Sequence, residues 1–162
     1  MKLYTCSNCN NLLYFENSIC LYCNNTVGFD VNNLSLKTLS SNNSPVFTDL
    51  NNQQNTYKFC ANATQHTCNW LIPAQQQFPF CKACELNRII PALTSWQNIE
   101  RWKRIELAKH RLIYSLFRLG LPVKSKIKEE DEGIAFEFMA DVSPAERVIT
   151  GHYKGVITLN IE

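Results

Sequence analysis

Eight cysteines in two groups of four constrain this chain more than any other feature. They stand at positions 6, 9, 20, 23, 60, 68, 81 and 84 of 162 residues, with 36 residues between the groups. Cys6 and Cys9, Cys20 and Cys23, and Cys81 and Cys84 form C-x-x-C pairs. At that separation a tight turn points two thiolates at one ion, and the flanking backbone N–H groups stay free to bond the sulfurs. The start, Met1-Lys2-Leu3-Tyr4-Thr5-Cys6, lacks a secretory signal, and no stretch approaches the ~20 apolar residues of a membrane span. The chain is therefore expected to be soluble and cytoplasmic, with no membrane partner. Reducing conditions there disfavour disulfides, which leaves metal binding as the use of eight thiols. Redox C-x-x-C pairs come singly and beside a βαβ pattern, of which the sequence shows no sign.

The first group, Cys6-Ser7-Asn8-Cys9, ten residues, then Cys20-Leu21-Tyr22-Cys23, has the two-knuckle layout of a zinc ribbon. Leu12-Leu13-Tyr14-Phe15 between the knuckles suits a strand, and Asn10 and Asn24 after them tolerate the left-handed backbone such turns require. Four thiolates close the tetrahedral shell of Zn2+, so the site is structural. In the second group seven residues separate Cys60 from Cys68, and twelve more precede Cys81-Lys82-Ala83-Cys84. His66 inside the widened loop is a fifth candidate ligand for four places. Either it is a bystander or it replaces Cys60 or Cys68, and the all-cysteine set is the simpler one. Two structural Zn2+ are thus expected, and their removal should unfold residues 1–28 and 58–88.

Between the groups, Asn32-Asn33, Ser40-Ser41-Asn42-Asn43-Ser44-Pro45 and Asn51-Asn52-Gln53-Gln54-Asn55 read as loop or linker over residues 31–55, docked by the apolar Val31, Leu34, Leu36, Leu39, Val46, Phe47 and Leu50 that interrupt the polar runs. Trp70-Leu71-Ile72-Pro73 and Phe78-Pro79-Phe80 supply a small core for a second zinc module over 56–93. Ile99, Trp102, Ile105, Leu112, Leu116 and Leu119 recur at helical spacing, and Ser95 or Thr94 and Gly120-x-Pro122 bound a helix over about 96–119. Its other faces carry Arg101, Lys103, Arg104, Lys109, Arg111 and Arg118, read as a solvated face, with His110 a surface residue. Ile134, Phe136 and Phe138 alternate as in a strand, and Arg147–Thr150 and Val156–Ile161 flank a five-residue hairpin loop that holds His152. The fold class is small α+β: two zinc-ribbon-like modules, one long amphipathic helix and a short antiparallel sheet.

These motifs resemble a bacterial family of zinc-binding metallopeptidases that begin with a zinc ribbon. The resemblance lies in Cys6-x-x-Cys9, Cys20-x-x-Cys23, Cys60-Ala61-Asn62, Cys68-Asn69-Trp70-Leu71-Ile72-Pro73-Ala74 and Cys81-x-x-Cys84-x-Leu86-Asn87-Arg88. It continues in Arg101-Trp102 and Thr150-Gly151-His152-x-x-Gly155-Val156-Ile157-Thr158-Leu159-Asn160-Ile161. It implies that residues 94–162 are the start of a metallopeptidase domain and that a later helix bears His-Glu-x-x-His, whose histidines bind a catalytic zinc. His66, His110 and His152 contain no i, i+4 pair, so that helix is not in this chain. The chain is expected to act as a binding or regulatory module without catalysis of its own, beside an unknown protein partner or a downstream peptidase domain. Two alternatives stand beside it: a truncated peptidase completed by downstream sequence or a partner, and a nucleic-acid-binding ribbon using Arg101, Arg104, Arg111 and Arg118. The formal net charge of +2 disfavours the last. His152 is read most simply as an exposed hairpin residue, with a functional role in full-length relatives as the other reading. Each closed four-thiolate site counts −2, so two sites bring the metallated chain to −2.

Overall fold

The computed structural model describes residues 2–41 and 44–162, so Met1, Asn42 and Asn43 lie outside the described residues. The chain divides into two compact units, Met1–Cys81 and Lys82–Glu162.

The first unit opens with the ribbon. Strands β1 (Tyr4–Thr5) and β2 (Leu12–Leu13) pair antiparallel and bring the first knuckle between them. Five antiparallel strands follow in order: β3 (Thr26–Asp30), β4 (Ser35–Ser40), β5 (Phe47–Asp49), β6 (Thr56–Phe59) and β7 (Leu71–Pro73). The sheet curls back on itself. Phe29 bridges Trp70, and its N–H donates to the Asn69 carbonyl at 2.9 Å, so β3 returns to the start of β7. Only glycine fits that closure at position 28, since a Cβ there would lie 2.5 Å from Leu71 Cδ2 and 3.0 Å from Phe59 Cε1.

The segment 31–55 is therefore not a linker. Its apolar residues Leu36 and Leu39 are buried on β4, while its polar runs make the turns. Asp30 accepts from the Asn32 N–H at 3.0 Å and from Asn33 Nδ2 at 2.6 Å, and Asp49 accepts from the Asn51 N–H at 2.9 Å. These are Asx turns, in which a side chain takes the place of a backbone acceptor. Turn chemistry between short strands has the same sequence signature as a continuous loop.

An aromatic cluster fills the unit. Phe15 and Phe29 meet edge to face at 4.8 Å, and Phe29 and Trp70 lie 4.9 Å apart. Phe29 and Trp70 are fully buried, with Phe15 nearly so. Asn69 Nδ2 donates to the carbonyls of Phe15 at 2.7 Å and Asn17 at 3.0 Å, tying the ribbon to β7. Phe78, expected in the core, is instead exposed.

The second unit is a helix packed on a four-stranded sheet of order β10-β11-β9-β8: β8 (Asn87–Ile89), β9 (Ala135–Met139), β10 (Gly151–Tyr153) and β11 (Val156–Asn160). This sheet is mixed and more extensive than the short antiparallel one expected. β8 and β11 both run parallel to β9, and α1 (Trp96–Arg118) crosses over from β8 to β9. A βαβ connection is thus present; three residues of β8 carry too little periodicity to announce it. Ser95 caps α1 by accepting from the Asn98 N–H. The far end closes in a Schellman motif: Gly120 at φ 69°, its N–H on the Phe117 carbonyl, and the Leu121 N–H on the Leu116 carbonyl.

The terminal hairpin differs from the five-residue loop expected. Gly151 to Tyr153 pairs with Val156 to Thr158 across two residues, Lys154 (φ 45°) and Gly155 (φ 84°). Two positive φ values make this a type I′ turn, whose twist matches the strands. Arg147–Thr150 is outside the strands, and His152 lies on β10 with its side chain exposed.

Candidate metal centres

In the first centre each knuckle is built by backbone bonds. The Cys6 N–H donates to the Asn11 carbonyl and the Asn10 N–H to that of Cys6; Cys20 repeats the pattern with Asn25 and Asn24. The reversal needs a left-handed residue, and Asn10 and Asn24 supply it at φ 60° and 59°. The Cys6 and Cys23 sulfurs then lie 3.6 Å apart, as do those of Cys9 and Cys20. Thr38 of β4, fully buried, donates to Cys6 Sγ and accepts from the Ser7 N–H at 3.0 Å. A residue of the supposed linker therefore supports a ligand. As free thiols the four compete for charge. Asn8's side chain and Asn25's backbone hold Cys23 down at about 6. At Cys9 the Asn11 backbone lowers the value, but burial and the neighbouring thiols outweigh it and push it up to about 12.

In the second centre all four cysteines are buried. The Trp70 N–H donates to Cys68 Sγ at 3.3 Å and the Cys81 N–H to Cys60 Sγ at 3.4 Å, while the Cys68 and Cys81 sulfurs are 3.7 Å apart. His66 does not join them. It is exposed, ends the 3-10 turn Ala61–Gln65 at φ 55°, and lies outside the group formed by Cys60, Cys68, Cys81 and Cys84.

The residues fit zinc. All eight cysteines are free, and within each set the four sulfurs lie within 4.8 Å of one another. Sulfurs ~2.3 Å from a common tetrahedral ion should be ~3.8 Å apart, near the observed spacing and far beyond the ~2.05 Å of a disulfide. The N–H groups aimed at sulfur are the outer-shell donors that stabilise bound thiolate. The chain thus holds two structural four-cysteine zinc sites.

Helix α1 departs most from its sequence reading. Its buried residues are Trp102, Glu106, Lys109, His110, Ile113 and Tyr114, a continuous helical stripe, whereas Leu112 and Leu119 are exposed. Lys109 and His110 are therefore interior residues, not surface ones. The Lys109 ammonium lies 2.7 Å from Glu106 Oε1 and 5.5 Å from the Phe136 and Phe138 rings, and it also donates to Asn87 Oδ1. Glu106 further accepts from Trp102 Nε1 at 3.2 Å and from Asn87 Nδ2. The Cys84 sulfur is 3.4 Å from Glu106 Oε1 and 3.7 Å from His110 Nε2. Sequence reasoning missed this network because a buried ion pair and a solvated face share one composition. Only the 4-3-1-3-1 spacing of residues 102, 106, 109, 110, 113 and 114 could have revealed it. Arg104, Arg111 and Arg118 are exposed on α1, and Arg101 pairs with Glu162 at 2.8 Å. Among the described residues no helix is long and apolar enough to cross a membrane.

Two closed four-thiolate sites, the first built on paired knuckle turns, define a zinc-ribbon metal-binding protein. Residues 3–95 match the zinc-ribbon domain family, and residues 98–162 match a family described as "Putative zinc-binding metallo-peptidase". The chain belongs to the zinc-ribbon family, and the residues that follow the ribbon domain are those that match the metallo-peptidase family. It is similar to uncharacterized proteins of Mycobacterium bovis and Mycobacterium tuberculosis, each 35% identical over 161 residues that cover 99% of this chain. Those residues are 43% of each relative, so the chain spans less than half the length of the curated relatives it matches. No solved structure matches it.

Proposed function

We propose that this chain is the zinc-held binding and regulatory module of a metallo-peptidase architecture, with no hydrolytic centre of its own. The observation that carries the reading is the donor count. Each zinc set offers four thiolates, which leaves no position for a reactive water, and a catalytic zinc needs one. The ribbon also presents apolar side chains to solvent: Leu21 and Tyr22 at the tip of the second knuckle are 82% and 76% exposed. Exposed apolar groups on a rigid metal-held turn suit protein recognition. On this reading, hydrolysis in longer relatives belongs to a segment with its own zinc ligands, and this chain positions or recognises what that segment acts on.

Zinc-loaded chain incubated with unfolded casein and a fluorogenic peptide library should release no product above a chelator-treated control. Peptide cleavage that disappears on chelation and returns with zinc would overturn the reading.

A further inference from the structure

We infer that His110, braced by the Glu106–Lys109 pair, is a positioning residue that fixes Cys84 as the fourth ligand of the second zinc centre. The inference rests on the two four-cysteine zinc sites and goes beyond the proposed function. Cys84 leads the 3-10 turn Cys84–Leu86 that runs into β8, and its sulfur faces the buried stripe of α1. A carboxylate, an ammonium and an imidazole, each side chain 2% exposed or less, occupy positions where apolar residues would be cheaper to bury.

The chemistry of the contacts assigns the roles. His110 Nε2 is 3.7 Å from Cys84 Sγ and 3.9 Å from Glu106 Oε1. A metal-bound thiolate and an ionised carboxylate are both acceptors only, so the nitrogen that faces them carries the proton and donates it. That N–H is the outer-shell hydrogen bond that orients a ligand sulfur and disperses its charge. Cys84, Glu106 and His110 lie within 4.8 Å of one another, but Lys109, Asn87 and Trp102 all donate to the Glu106 oxygens, which favours a supporting role over ligation. The carboxylate instead anchors the helical face from which His110 projects, and Lys109 offsets the negative charge that Glu106 would otherwise place beside the sulfur.

The test compares the zinc-loaded full chain with His110→Leu, which fills the space without a donor, and His110→Gln, which restores an N–H. Zinc release to a chromogenic chelator should be biphasic. The phase belonging to the second centre should quicken by roughly tenfold or more in His110→Leu and recover in large part in His110→Gln. The first-centre phase should not move, and unchanged helical circular dichroism reports that α1 is still folded in the variants. Nitrogen-15 NMR of histidine-labelled wild type makes the test independent of any variant: His110 Nε2 should be protonated. A bare Nε2, equal release from all three proteins, or a third zinc per wild-type chain that is lost in His110→Leu would overturn the inference. Wild type with fewer than two zincs would instead overturn the zinc sites on which the inference rests.

Discussion

Stripping zinc from the chain is expected to unfold the ribbon and the second cysteine module, residues 1–28 and 58–88, and with them the aromatic core of the first unit. Neither module buries enough apolar surface to fold alone, and structural zinc contributes on the order of 10 kcal/mol per site. A domain's whole stability is ~5–15 kcal/mol, so one site matches or exceeds the margin that keeps the unit folded. The loss should spread through Phe15, Phe29 and Trp70. Phe15 comes from the ribbon and packs on Phe29 of β3 and Trp70 at the start of β7. Near-ultraviolet circular dichroism and limited proteolysis before and after a strong chelator check this. Loss of the aromatic signal with rapid cleavage inside 1–81 is expected, and an unchanged spectrum and digest would contradict it.

Replacing Lys109 with Met should destabilise the chain by about 3–5 kcal/mol, because it leaves the Glu106 carboxylate buried without its countercharge. Glu106 and Lys109 have side chains 0% and 1% exposed, so solvent screens neither. Trp102 Nε1 and Asn87 Nδ2 still donate to the carboxylate, but neutral donors offset only part of that charge. Glu106→Leu with Lys109→Met removes both charges and should cost clearly less than Lys109→Met alone. Urea unfolding of the zinc-saturated proteins, followed by tryptophan fluorescence, gives the comparison. A Lys109→Met midpoint within error of wild type would contradict the ion-pair account.

What the sequence disclosed divides along physical lines. Ligand spacing, left-handed turn residues and helix caps are local, and each was legible: both four-cysteine sets, Asn10 and Asn24, Ser95 and Gly120. Pairing across the chain was not. β8 is three residues long and parallel to β9, and no local pattern records a partner about fifty residues away. The segment 31–55 failed for a different reason. Its asparagines advertise turns, and the short strands between them hold few apolar residues, so turn signal swamped strand signal. At α1 the apolar period counted Leu112 and Leu119, which face solvent, and passed over Glu106, Lys109 and His110, which do not. Hydrophobic periodicity assumes that charge faces water, and it fails where buried charges satisfy one another.

The central claim is that eight cysteines hold two zinc ions in closed shells, and native mass spectrometry of the purified chain tests it most directly. The expected mass is that of the chain with two zinc ions and all eight cysteines deprotonated or bound, falling to the bare chain on acidification. A mass with one zinc or none, or one with disulfide-linked cysteines, would contradict it.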